Sequence, residues 1–198
     1  MPFLFKRLVL VLSITAAFAA DKEHTVFRPD PASSYPHRQT NDKVTIAADP
    51  YVSGDKVHAA FGKLDPYAYG VLPVLVVIQN DSSKTIRLDR IQAVYNGPQG
   101  DKVEATPAGD VRYLQGPNRP RVPAGPTARL PIGKGKNPLN AWEIEGRAFA
   151  AKMLPAGQTA SGFFYFQTGL QRGATLYLNG LEDATSGQEL FYFEIPLE

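Results

Sequence analysis

Val71-Leu72-Pro73-Val74-Leu75-Val76-Val77-Ile78-Gln79 contains an unbroken apolar run from Val74 to Ile78, so an extended chain here is hydrophobic on both faces. A strand with one wet face would alternate; this one predicts a central strand buried on both sides. Asn80-Asp81-Ser82-Ser83-Lys84-Thr85 then supplies turn-forming residues, and Ile86-Arg87-Leu88 restarts with alternation, which predicts a hairpin. Ile91 to Tyr95 ends at Asn96-Gly97, a second hairpin signal leading to Lys102-Val103-Glu104. Upstream, Val44 and Ile46 alternate with Lys43 and Thr45 in a strand over Lys43 to Ala48. Downstream, Gly162 to Gln167, Ala174 to Leu178 and Glu189 to Ile195 are separated by turn chemistry at Asn179-Gly180 and Asp183 to Gly187, so three strands close the chain. Short strands between turn signals predict a mainly β fold, an antiparallel β-sandwich.

Three segments depart from this texture. Residues 20–42 are polar and broken by Pro29, Pro31 and Pro36, with no period of 2 or 3.6, and read as a flexible N-terminal tether. Residues 115–137 form a basic Pro/Gly-rich loop, an insertion whose prolines forbid long regular elements. Over 138–153, Leu139, Trp142, Gly146, Phe149 and Met153 recur at helical spacing behind Asn137-Pro138, predicting one amphipathic helix that packs by this stripe. The domain proper is thus expected over 43–198.

Val76-Val77-Ile78-Gln79-Asn80-Asp81-Ser82 leading to Ile86-Arg87-Leu88, with Leu154-Pro155-Ala156-Gly157 followed by Gly162-Phe163-Phe164-Tyr165-Phe166, resembles exported bacterial immunoglobulin-like sandwich domains. The resemblance covers about half of the mature chain and implies an immunoglobulin-like β-sandwich whose relatives serve binding, adhesion or assembly more often than catalysis.

The N-terminus sets the expected compartment. Lys6 and Arg7 precede an apolar run over Leu8 to Ala16, and Ala17-Phe18-Ala19 offers a small-residue cleavage signal, so residues 1–19 read as a secretory signal peptide. The run is too short to cross roughly 30 Å of hydrocarbon, and no later stretch approaches the length a transmembrane helix needs. The mature protein is expected outside the cytoplasm, periplasmic or extracellular. The leader holds two of the 21 Lys and Arg, so the mature chain balances 19 basic against 19 acidic residues and its composition offers no argument for a basic partner. With no cysteine, disulfides and thiolate-bound metals are excluded, and the core alone must hold the fold.

Catalytic patterns are sparse. His24, His37 and His58 show no metal-ligand spacing, and no Gly-x-Ser-x-Gly elbow exists to expose a nucleophile. Ser53-Gly54-Asp55-Lys56 fits the Ser-x-x-Lys pattern, but Pro50 to Asp55 reads as a turn rather than the helix start that chemistry needs. Gly133-Lys134-Gly135-Lys136 lacks the leading glycine and following hydroxyl of a phosphate loop, and no Asp-x-Asp-x-Asp run supports calcium. No cofactor, metal or catalytic residue is therefore expected. Asp65, Glu143 and Glu182 would make a carboxylate site only if the fold brought them together. Asn80-Asp81-Ser82 fits a glycosylation triplet that the turn also explains.

Two binding candidates remain. Arg119, Arg121, Arg129, Lys134 and Lys136 lie in a stretch without an acidic residue, a basic loop suited to a protein face or an anionic envelope polymer. Nucleic acid is not expected, given export and the shortage of interleaved aromatics. Tyr67 and Tyr69, beside Tyr51 and Pro66, could instead stack on sugar rings or anchor a partner protein, or simply cover the sheet edge. The expected function is a non-enzymatic exported binding or accessory module of the bacterial envelope, the alternative a carbohydrate-binding or carbohydrate-active module using these tyrosines.

Overall fold

The computed structural model describes residues 27–111, 137, 139 and 141–197. Among the described residues eleven strands follow one another: β1 (Arg38–Asn41), β2 (Val44–Pro50), β3 (Leu72–Asn80), β4 (Ile86–Arg87), β5 (Gln92–Asn96), β6 (Lys102–Glu104), β7 (Met153–Leu154), β8 (Thr159–Phe166), β9 (Thr175–Asn179), β10 (Glu182–Asp183) and β11 (Phe193–Pro196). Helices are few: α1 (Gly54–Phe61), α2 (Trp142–Glu145) and three 3-10 turns. All strand pairing within the sheets is antiparallel, in the orders β1-β2-β3-β8, β11-β9-β5-β6 and β10-β4-β7.

The expectation for β3 is met. Leu72, Val74, Val76 and Ile78 enter a core shared with Ala93 and Tyr95 of β5, Leu176 and Leu178 of β9, and Phe193 and Ile195 of β11. Leu75 and Val77 point the other way, into a second core with Phe163 and Tyr165 of β8 and with Val57, Ala60 and Phe61 of α1. β8 divides the same way, Phe164 and Phe166 going to the first core. The four-stranded sheet around β3 is therefore the middle layer, with the β5-β9 sheet on one face and helices and turns on the other. Gly162 of β8 lies so close to the crossing 148–149 segment that a Cβ there would run into the Phe149 backbone.

The second hairpin is also as expected: β5 and β6 pair across the turn after Asn96, where the Gly97 N–H donates to the Asp101 carbonyl at 2.8 Å. The first is not. β4 leaves β3 and pairs with β7 and β10 instead. The cause is Asn80, whose side chain is wholly buried. Its amide donates to the carbonyls of Lys84 (2.8 Å), Leu154 (3.0 Å) and Pro155 (3.1 Å), while its Oδ1 accepts from the N–H and hydroxyl of Ser82. The Gly157 N–H adds a bond to the Asn80 carbonyl at 2.7 Å. The turn after β3 is thereby tied to the Leu154-Pro155-Ala156-Gly157 turn rather than folded back along β3. The buried amide is not accessible for glycan attachment in the folded chain.

Three further expectations need correction. The 138–153 helix is a single turn, Trp142–Glu145. Beyond Gly146 the backbone bonds sideways: the Phe163 N–H donates to the Arg147 carbonyl at 2.9 Å and the Phe149 N–H to the Phe163 carbonyl at 3.0 Å. The exposed edge of β8 outcompetes the helical ladder, and the buried side chains are Leu139 and Ile144, with Trp142 and Met153 about half exposed. The 20–42 tether is contradicted from residue 27 onward. Phe27 packs 5.6 Å from Phe163, Ala32 is buried, and β1 forms a hairpin with β2. Its Asp42-Lys43 turn has φ of 48° and 63°, the left-handed pair that a two-residue hairpin connection uses. Finally, helix α1 begins inside the Pro50 to Asp55 stretch that reads as a turn. Val57, Ala60 and Phe61 sit at i, i+3 and i+4 and are buried, a pattern too short to stand out beside Pro50 and Gly54.

Replacing Asn80 with Ala should lower unfolding free energy by about 2–4 kcal/mol, because several buried carbonyls lose their donor at once. Asn80→Asp should cost at least as much, since it sets a carboxylate oxygen against those carbonyls. Urea denaturation checks both; wild-type stability in either variant would refute the role.

Candidate functional site

Asp183-Ala184-Thr185-Ser186-Gly187 turns the chain out of β10, and Glu189 to Tyr192 returns it to β11. Two anchors fix the return. Leu190 is buried with its N–H on the Leu181 carbonyl at 2.7 Å, and Phe193 is buried at the start of β11. Between them Phe191 is 75% exposed and Tyr192 53% exposed. Tyr192 stacks on Tyr177 of β9, ring centroids 5.3 Å apart and planes at 28°. The three rings form a ridge.

The ridge separates two clefts. One, of about 620 Å³, lies between Phe191, the Asp42-Lys43 hairpin turn and the Ser82-Ser83-Lys84 turn. The other, of about 400 Å³, lies between Phe191, Tyr192, Tyr177 and Asn179. The Asn179 Oδ1 is buried and has no hydrogen-bond partner. A buried acceptor left without a donor costs about 1–3 kcal/mol, and such atoms in native proteins ask for a ligand or water to explain them.

Rigid contacts hold this surface. The Lys84 ammonium pairs with Asp183 at 2.8 Å, and Asp183 also accepts the Thr185 N–H at 2.9 Å. These interactions hold the Asp183 carboxyl well below the usual carboxylate range, Lys84 first and the Thr185 N–H next. The same carboxylate raises Lys84 above its ordinary value. The edge of β11 is sealed by side chains of β1: Asn41 Nδ2 donates to the Tyr192 carbonyl at 3.2 Å, and the Glu194 N–H donates to Gln39 Oε1 at 2.7 Å.

The sequence-predicted candidates fall elsewhere. Arg119, Arg121, Arg129, Lys134 and Lys136 lie outside the described residues. Tyr67 and Tyr69 lie in the 3-10 turn Tyr67–Tyr69, both half-buried. Tyr67 packs against the inter-sheet core, its hydroxyl accepting the Leu170 N–H at 3.3 Å, and Tyr69 packs against the second core. Tyr51 is buried edge-on to Phe163 at 4.9 Å, and burial pushes its hydroxyl pKa up. These three tyrosines share no exposed platform.

The three carboxylates are not brought together. Asp65 accepts the Ala68 N–H at 3.1 Å, Glu143 sits in α2, and Glu182 in β10 is engaged by Arg87 at 2.8 Å and Arg90 at 3.2 Å. The Ser53 motif does start a helix, contrary to the turn reading, yet the Lys56 ammonium is held by Asp49 at 2.8 Å. His58 Nδ1 lies 2.6 Å from the Gly62 carbonyl at the end of α1. Among the described residues no group of three His, Cys, Asp or Glu side chains could hold a metal ion, and no helix is long and apolar enough to cross a membrane.

Phe191 and Tyr192 escape sequence reading for a physical reason. Alternation over Glu189 to Ile195 puts Phe191 on the same inward face as Phe193 and Ile195. The strand begins only at Phe193, and Leu190 takes the inward place, so the phase breaks between them. Four consecutive apolar residues, Leu190 to Phe193, were the available signal.

The pairing of Asp183 makes a pH prediction. A carboxylate whose folded pKa is depressed stabilises the fold fully above about pH 5 and loses that contribution as pH falls below about 4. Lys84, with a raised pKa, retains its contribution up to its ordinary range near about 10.4. Asp183→Asn should therefore flatten the acid limb of a melting-temperature profile and leave its slope near neutral pH unchanged. An identical acid limb in the variant would refute the assignment.

Comparison with known proteins returned no matching family model and no matching curated protein. Among solved structures, the chain is similar to a protein of unknown function from Listeria monocytogenes, at 15% identity over 81% of this chain and 80% of that one, with a TM-score of 0.36. It is also similar to a candidate lipoprotein from Bacillus subtilis, at 12% identity over 80% of this chain and 38% of that one, with a TM-score of 0.38.

Proposed function

We propose that this chain is an exported, non-enzymatic binding module of the bacterial cell envelope, and that it engages its partner through the Phe191-Tyr192-Tyr177 ridge. The observation that carries the reading is Phe191, 75% exposed between two clefts on a surface held by buried anchors on either side. Scattered exposed apolar residues are ordinary, but contiguous rings beside concave surface are the composition of recognition sites. Export rests on the leader pattern of residues 1–19. The non-enzymatic reading rests on where the titratable groups are spent: Lys56 on Asp49, Glu182 on two arginines, His58 beside the end of α1. The immunoglobulin-like assignment belongs to this reading too, supported by the two sequence motifs and by their junction at Asn80.

Phe191→Ser with Tyr192→Ser should lower the melting temperature by no more than a few degrees, because Phe191 is 75% exposed and Tyr192 packs only against Tyr177 at the surface, and should abolish capture of envelope material by the immobilised protein. Loss of two central aromatic anchors corresponds to at least about 2 kcal/mol, or roughly thirtyfold in affinity. Capture undiminished in a folded double variant would sink the proposal.

A further inference from the structure

We infer that the ligand of this ridge is a neutral polysaccharide bound across both clefts, an inference that rests on the binding surface proposed above. Three observations select this chemistry. Stacked Tyr177 and Tyr192 with exposed Phe191 offer flat ring surface, which suits the C–H faces of sugar rings. Groups that exchange hydrogen bonds with hydroxyls flank the rings on both sides: Ser83 and Gln188 in the larger cleft, Asn179 in the smaller. Asn179 lines the smaller cleft with its Oδ1 unpartnered, an acceptor that needs a donor, and a polyol carries many.

Charge argues for neutrality. Lys43 and Lys84 in the larger cleft stand with Asp42, Asp183 and Glu189, and Lys84 is already neutralised by Asp183. A surface with no positive excess offers nothing to a polyanion and would repel one at Glu189. Peptide capture by strand addition is closed at this edge, because Asn41 and Gln39 already occupy the Tyr192 carbonyl and the Glu194 N–H. The two clefts on opposite sides of one ridge then call for a ligand longer than a single ring.

The test is affinity electrophoresis of the purified protein through gels containing hydroxyethylcellulose, glucomannan, dextran, glycol chitin or, as the polyanion, heparin. At least one neutral polymer should retard the wild type, and the retardation should survive about 0.5 M salt, where exposed charges are screened. Phe191→Ala and Tyr192→Ala should each weaken it about tenfold or more, as expected of aromatic anchors. Asn179→Ala should weaken it while keeping the fold, checked by circular dichroism. Oligosaccharides should compete better than their monosaccharide. Absence of retardation by every neutral polymer, indifference to the ridge variants, or binding to heparin alone overturns the inference. If capture of envelope protein still depends on Phe191, the glycan assignment falls and the surface stands; if neither glycan retardation nor capture depends on it, both fall.

Discussion

The rest of the molecule depends on a single strand with no polar face. β3 must be covered twice, and the chain answers with two different kinds of cover: a second sheet on one side, and α1 with irregular segments on the other. β8 shares the constraint because it pairs along the length of β3, Leu72 against Phe166 through Gln79 against Thr159, so its aromatic residues are dealt alternately to the two cores. Covering the second face recruits segments that look unstructured in isolation, including Phe27 and Ala32. The hydrophobic demand of one strand, roughly 1.5–3 kcal/mol for each large side chain kept from water, is what orders them.

Asn80 ends that strand and decides where the chain goes next. A buried carboxamide must have its donors and acceptor met inside the protein, and the groups that meet them come from two turns far apart in sequence. Local turn chemistry favoured a simple hairpin; the buried amide redirects β4 to a separate small sheet with β7 and β10. That sheet carries Asp183, which fixes the loop leading to Phe191. The polar knot at one end of β3 is thus physically continuous with the floor of the Phe191 surface.

What was legible follows from the range of the forces involved. Strands were readable because side-chain period and turn residues are local: β2, β3, β5, β6, β8 and β9 lie within a few residues of their sequence signals. Pairing was not, since the partners of β4 depend on a contact between residue 80 and residues 154–155. The helical stripe from Leu139 to Met153 was real as a spacing, yet Gly146 weakened the helix at the point where β8 offered its edge groups. The tyrosine candidates show the same limit. Tyr51 and Tyr67 look like loop aromatics, but the sheet faces they cover are chosen by tertiary packing, and Tyr67 spends its hydroxyl on a backbone N–H. Phe191 shows the opposite case: alternation over Glu189 to Ile195 would place it inward, and the structure turns it out.

This reversal is informative about the surface. An apolar side chain whose burial would be allowed by alternation, but which is turned outward by anchors at Leu190 and Phe193, contributes little to stability where it stands. Its loop gains little packing from the exposed ring, and three neighbouring hydrogen bonds pin the backbone: the Leu190 N–H on the Leu181 carbonyl, the Asn41 amide on the Tyr192 carbonyl, and the Glu194 N–H on Gln39. Holding backbone rigid beneath solvated rings lowers the entropy lost when something stacks on them, which is the physical advantage of a preorganised site. The same side-chain bonds occupy the β11 backbone that an exposed edge would otherwise offer to a second strand. The arrangement presents aromatic surface while closing the sheet edge beside it, so the recognition proposed here would rest on rings and clefts rather than on backbone pairing.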